Sequence, residues 1–218
     1  GMALKLHLLS GNAVDRQNKN EYQKYQVIDE KEQFNLSKEQ ENALKEIITN
    51  INSFRVHLLQ GTTGSGKTIV AILSIVNVIE SRYQCALIGP TEILAFQHYK
   101  TFKKRFENFP VSFDYLNRFR SNSDKKNILE NLKSGKLDLI VGTHQLVNEK
   151  VFYNNLGLLI VDEEQKFGVN VKERIRSMKE NIDVLTLTAT PIPRTLQYSL
   201  MSARDLSIIN TPPLNRVP

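Results

Sequence analysis

Residues 61–68 read "GTTGSGKT" and stand between two apolar runs, "VHLLQ" at 56–60 and "IVAILSIVNVI" at 69–79. Glycine lets backbone wrap closely around a ligand, and a lysine held in such a loop calls for an anion. The spacing is G-x-x-x-x-G-K-[S/T], with a strand pattern before it and a helix pattern after it, which is the phosphate-binding loop in its required context. In that reading Gly61, Thr62, Thr63, Gly64, Ser65, Gly66, Lys67 and Thr68 surround the phosphates. Lys67 reaches the β- and γ-phosphates, and the Thr68 hydroxyl ligates Mg²⁺. A helix opening at Lys67 adds the positive end of its dipole. A loose surface loop of the same composition would need neither the spacing nor the flanks, so the anion is read as a nucleoside triphosphate.

Outward from this loop, apolar β-rich runs alternate with helical patterns. Strands are expected at "RVHLLQ", "CALIGP", "VSFDYL", "LDLIVGT", "LGLLIVD", "DVLTLTA" and "LSIIN". Runs apolar on both faces and separated by helices predict an α/β fold, a mostly parallel sheet with helices on both sides. Residues 34–210 are read as the folded domain. Residues 1–33 are polar and charged and suit a junction segment with a tag scar, "GMA", at its start; 211–218, proline-rich and aperiodic, suit a linker. The 218 residues are 40% hydrophobic, enough for a sizeable core, and the net charge of +6 favours an acidic partner such as nucleic acid. A single cysteine, Cys85, cannot form an internal disulfide and lies in an apolar run, so a buried thiol in a reducing, cytoplasmic setting is expected. No apolar run approaches the length of a membrane span, and no membrane partner is expected.

The second half of a nucleotide site is read in "LGLLIVDEEQ", where a buried strand delivers Asp162 and Glu163 at its end. Asp162 is assigned to Mg²⁺, and Glu163 to orienting and deprotonating the attacking water. Glu164 is left open, because one of several consecutive acids is commonly only solvated. Lys67, Asp162 and Glu163 are thus the candidate catalytic set, with ATP and Mg²⁺ as cofactors.

The stretches "TGSGKT" (63–68), "PTEILAFQH" (90–98), "VGTHQL" (141–146), "DEEQ" (162–165) and "TATPIPRTL" (188–196) follow the order of first-lobe motifs in superfamily 2 helicases and translocases. With "NRFRS" (117–121), "LGLLIVDEEQKFGVNVKERI" (156–175) and "RDLSIINTPP" (204–213), the chain resembles the bacterial transcription-repair coupling factor family. A fork-remodelling, branch-migrating helicase is the nearest relative and the alternative reading. A non-helicase P-loop NTPase is less favoured, because neither a transporter signature nor an arginine-rich kinase lid is found. The resemblance implies a RecA-like lobe of an ATP-dependent, double-stranded DNA translocase. It assigns Gln40 to the adenine edge, and Gln165, Thr188 and Thr190 to coupling between lobes. Thr91, Gln97, Arg118, Arg120, Thr143, His144 and Arg194 are assigned to DNA. From the residues alone, Gln40 could equally be a solvated helix position, and Arg118 and Arg120 solvated loop charges.

Where the family usually carries histidine and arginine after the acids, this chain has Gln165 and Lys166. Glutamine can still hydrogen-bond but does not titrate, so any pH dependence arising there should vanish. Second-lobe motifs are not found before Pro218. The chain is therefore expected to be a monomeric piece with little hydrolysis of its own. Contacts to RNA polymerase and nucleotide-excision-repair proteins would be made by modules outside it.

Overall fold

The protein is described from a computed structural model covering residues 36–49, 54–107, 109–190 and 205–210. The segments read as junction and linker, Arg194 and the "PIPRTL" run lie outside the described residues. In chain order the elements are α1 (Lys38–Thr49), β1 (Val56–Gly61), α2 (Lys67–Glu80), β2 (Gln84–Ile88), α3 (Glu92–Arg105), β3 (Phe113–Leu116), α4 (Asn122–Lys133), β4 (Leu139–Gly142), β5 (Leu156–Asp162), α5 (Val169–Met178), β6 (Asp183–Thr188) and β7 (Asp205–Ile209). All seven expected strands form. They make one sheet in the order β3-β4-β2-β5-β6-β1-β7, with every pair parallel.

Period-two alternation sorts the strand residues between two cores. In β5, Leu158 and Ile160 pack with α1, α2 and α3, while Leu159 and Val161 pack with α4 and α5 on the opposite face. All four are buried to within 1% of full exclusion from solvent, so neither face of this strand tolerates a polar residue. Burying a side chain of this size contributes about 1.5–3 kcal/mol. The alternation also fixes the function-bearing end: Asp162 continues the Leu158 and Ile160 series, so its side chain falls on the face that carries α2 and α3.

Helix α2 is apolar nearly all round because it lies over the middle of the sheet, with Val70, Ala71, Ile75 and Val78 fully excluded from solvent. Helix α1 starts through a reciprocal capping box. Ser37 Oγ accepts from Gln40 N–H at 3.3 Å, and Gln40 Oε1 accepts from Ser37 N–H at 2.9 Å. Cys85 is buried, as expected, and burial raises its thiol pKa far above the ordinary range.

At the β7 edge, His57 is 5% exposed and bonds Ser207 Oγ at 2.9 Å, while the Ser207 hydroxyl donates to Glu46 of α1. The carboxylate only accepts, so the imidazole is the donor through Nε2, and Nδ1 is left as a buried nitrogen with no partner among the described residues. Burial pushes the His57 pKa below its usual value near 6.5, opposed by Glu46 and Asp205. The unfolded chain then takes up a proton at about pH 6.5 that the folded one refuses. His57 therefore destabilises the fold as pH falls below that value, by up to ~1.4 kcal/mol per pH unit. Urea midpoints at pH 7.5 and 5.5 should fall less in His57→Gln than in the wild type; parallel loss in both would remove this residue from the account.

Candidate nucleotide site

The phosphate loop joins the carboxyl end of β1 to the first turn of α2, where helix N–H groups lack intrahelical partners. Gly66, the N-cap of α2, has φ +91°, a left-handed conformation that side chains rarely adopt. A Cβ there would also fall 2.2 Å from Gln40 Nε2. Gln40 is buried at 6% exposure and donates through Nε2 to Ser65 carbonyl oxygen at 2.8 Å, so α1 braces the loop directly. With Oε1 in the capping box and Nε2 on the loop, the amide read as an adenine contact is engaged internally in this conformation. Ser65 is fully buried and its Oγ has no partner among the described residues. A Cβ on Gly61 would lie 2.4 Å from that oxygen.

Lys67 donates to the carbonyls of Gly61 and, at 3.0 Å, Thr62. Its pKa is lowered by burial and supported by the charges of Glu163 and then Asp162, which places both acids within electrostatic reach of the ammonium. Asp162 ends β5, which is separated from β1 by β6. The phosphate loop and the acidic turn therefore lie at the same, carboxyl edge of the sheet with one strand between them. Thr62, Thr63 and Gly64 are exposed, and Thr68 is half-buried in the first turn of α2.

Glu163 takes φ +51° with its N–H bonded to Leu187 carbonyl at 2.8 Å. A non-glycine residue there costs on the order of 1–3 kcal/mol and is found mostly at functional turns. Its carboxylate accepts from Ala189 N–H at 2.9 Å, from Thr188 Oγ1 at 3.4 Å, and from Gln165 Nε2. Gln165 also donates to Thr190 Oγ1 at 3.1 Å. Glu163, read as the base, and Gln165, Thr188 and Thr190, read as coupling residues, thus form one hydrogen-bonded group. Glu164 resolves as structural: Lys179 lies 3.3 Å from Oε1 and Thr186 donates to Oε2 at 3.2 Å, with the carboxylate mostly buried.

The fit to a magnesium nucleotide rests on the donor set. Thr68 and Asp162 offer a hydroxyl and a carboxylate, hard oxygens that suit Mg²⁺ shared with phosphates. Among the described residues no group of three His, Cys, Asp or Glu side chains could hold a metal unaided. The close approaches at Gly61 and Gly66 are to Ser65 Oγ and Gln40 Nε2, so these glycines let the loop pack tightly on its own serine and on α1.

The residues expected to meet DNA separate on inspection. Gln97, Arg118 and His144 are exposed. Thr91 is exposed but caps α3, accepting from Leu94 N–H at 3.2 Å. Arg120 is half-buried and pairs with Asp114 at 2.7 Å, so part of its charge is already neutralised within the fold. Thr143 is only 3% exposed, with a buried hydroxyl that has no partner among the described residues, and presents no surface to a polymer in this conformation. The site residue that sequence reasoning missed is His98, which bonds Asp162 at 2.8 Å. It lies inside the quoted "PTEILAFQH" stretch at the spacing of the inward stripe Ala95–Phe102, a polar residue on a core-facing line, and that was the available signal.

A phosphate loop at the carboxyl edge of a parallel sheet, faced by a two-acid turn and a Thr-Ala-Thr strand end, defines the nucleotide-binding lobe of a P-loop motor. Residues 37–198 match the DEAD/DEAH box helicase family, and the chain belongs to that family. It is similar to proteins named transcription-repair-coupling factor: 54% identical over 161 residues to that of Staphylococcus haemolyticus, covering 74% of this chain and 14% of the relative. To that of Borreliella burgdorferi it is 47% identical over 181 residues, covering 82% and 16%. The chain thus spans about a sixth or less of these relatives. Among solved structures, RecG bound to a three-way DNA junction matches with TM-score 0.72 and 35% identity, covering 84% of this chain and 25% of that one. A DEAD box protein from Methanococcus jannaschii matches with TM-score 0.57 at 20% identity over 81% of this chain and 54% of that one, a likeness of fold. Among the described residues no helix is long and apolar enough to cross a membrane.

Proposed function

We propose that residues 34–210 are the first motor lobe of an ATP-dependent double-stranded DNA translocase of the transcription-repair-coupling type. The observation that carries this is the placement of Lys67 after β1 and of Asp162 and Glu163 at the end of β5, at one edge of the parallel sheet, with Glu163 bonded to Thr188 and Ala189. Lys67 would leave the loop carbonyls to meet the β- and γ-phosphates. Glu163 would accept the proton of the attacking water, which requires its carboxylate to be released from Gln165 and the Ala189 N–H. Thr68 and Asp162 would hold Mg²⁺, which supplies charge neutralisation between the phosphates when bound. Gln40 would read the adenine edge only after exchanging one of its present partners. The exchange of Glu163 partners also gives Gln165, Thr188 and Thr190 their coupling role, since freeing the base moves the same turn.

DNA would cross the sheet's carboxyl edge over Thr91, Gln97, Arg118, Arg120 and His144, contacting phosphates, which suits a motor indifferent to sequence; Arg194, outside the described residues, is proposed for the same role. Displacement of stalled RNA polymerase and recruitment of excision-repair proteins would belong to the longer protein. A fork-remodelling role is the second reading, favoured by the 35% identity to RecG. The deciding experiment measures ATPase rate with and without duplex DNA for this chain and for a full-length relative. Stimulation in the relative, with near-background turnover here, supports a lobe that needs a partner to complete the site. Equal rates would make it a stand-alone NTPase. Full-length protein offered stalled polymerase or a model fork then separates the two motor readings.

A further inference from the structure

We propose that His98 is a positioning residue for Asp162, holding that carboxylate in the orientation a nucleotide-bound divalent cation requires; this rests on the assignment of Asp162 to the metal above. His98 Nε2 lies 2.8 Å from Asp162 Oδ2, and the two side chains are 15% and 14% exposed. The imidazole neighbours Phe102, whose ring centroid is 6.2 Å away at a tilt of 43° and whose side chain is fully buried. Helix α3 is anchored in turn by the Thr91 cap and by Ala95 against the sheet core. The bond joins residues 64 positions apart and spends one carboxylate oxygen, leaving Oδ1 for the cation side.

Lys67 carries the competing charge: its ammonium is reached by the charges of Glu163 and, less strongly, of Asp162. The bond from the α3 side gives Asp162 a partner other than the lysine. Outer-shell partners of metal-binding carboxylates act in this way, and their removal typically costs 10–100-fold in metal affinity.

The test compares His98→Gln, long enough to keep a donor near Asp162, with His98→Asn, too short to reach it. A non-hydrolysable ATP analogue is titrated calorimetrically into each protein at a series of Mg²⁺ concentrations and in EDTA. His98→Asn should raise the Mg²⁺ concentration for half-maximal tightening by about tenfold or more. Its affinity in EDTA should stay within about twofold of wild type, and His98→Gln should recover most of the difference. Because the readout compares Mg²⁺ with EDTA within each variant, a lower folded fraction moves both arms together. An unchanged Mg²⁺ requirement in His98→Asn, or an asparagine variant no worse than glutamine, overturns the proposal. Asp162→Asn serves as the reference: if it too leaves the Mg²⁺ requirement unchanged, the metal assignment fails first, whereas a shift there without one in His98→Asn rejects only the positioning role.

Discussion

Glu163→Gln is expected to slow ATP hydrolysis by about 10²–10⁴ in a full-length protein of this family while leaving ATP affinity within about threefold of wild type. The asymmetry follows from how the side chain is held. Glutamine keeps an oxygen for the Ala189 N–H, so the left-handed turn and the Thr188 contact can survive, but an amide cannot take the water's proton. The ATP state should therefore accumulate. Equilibrium binding of a fluorescent ATP analogue, run beside single-turnover hydrolysis, separates the two quantities. A variant that loses binding as much as turnover would show that Glu163 shapes the pocket rather than serving as its base.

The arrangement that makes this prediction possible was only partly legible in the sequence. Local backbone demands were readable: the glycine at 66 announces a left-handed turn, and the alternation in "LGLLIVD" announces a two-faced strand with Asp162 on the Ile160 side. These depend on neighbours along the chain. Sheet order does not, and the separation of β5 from β1 by β6 followed from tertiary pairing that no single strand encodes. The same limit hid the partners of individual side chains. His98 finds Asp162 across 64 residues, Arg120 spends itself on Asp114, and Thr143 turns inward, although all three sit in stretches that sequence reading had already marked.

Gln40 carries two structural duties at once. Serine followed three residues later by glutamine before an apolar stripe is a capping signal readable from spacing alone. Its Nε2 bond to Ser65 is not readable, since it depends on α1 lying against the phosphate loop. The consequence is that α1 is tied to the loop through this amide, the same one assigned to the adenine edge.

Lys67→Ala should produce the complementary phenotype, with loss already at the binding step. Its ammonium is the charged donor the loop supplies to the phosphates, and hydrogen bonds to charged groups contribute about 1.5–3 kcal/mol each, so ATP affinity should drop about 10–100-fold. Turnover should fall further, by roughly 10²-fold, because negative charge develops on the transferred phosphoryl oxygens and the lysine meets it most strongly there. Removing the cation also leaves Glu163 and Asp162 without the positive charge that now faces them, while the Gly61 and Thr62 carbonyls lose their donor. The fold should nevertheless persist, since α2 is held by Val70, Ala71, Ile75 and Val78 in the core rather than by its first residue. Calorimetric ATP titration, thermal melting and single-turnover hydrolysis on Lys67→Ala and Glu163→Gln together would give a crossed pattern: binding lost in the first, retained in the second, turnover lost in both. If Lys67→Ala bound ATP with wild-type affinity, the loop would not be gripping phosphates, and the nucleotide site would have to be sought elsewhere on the molecule.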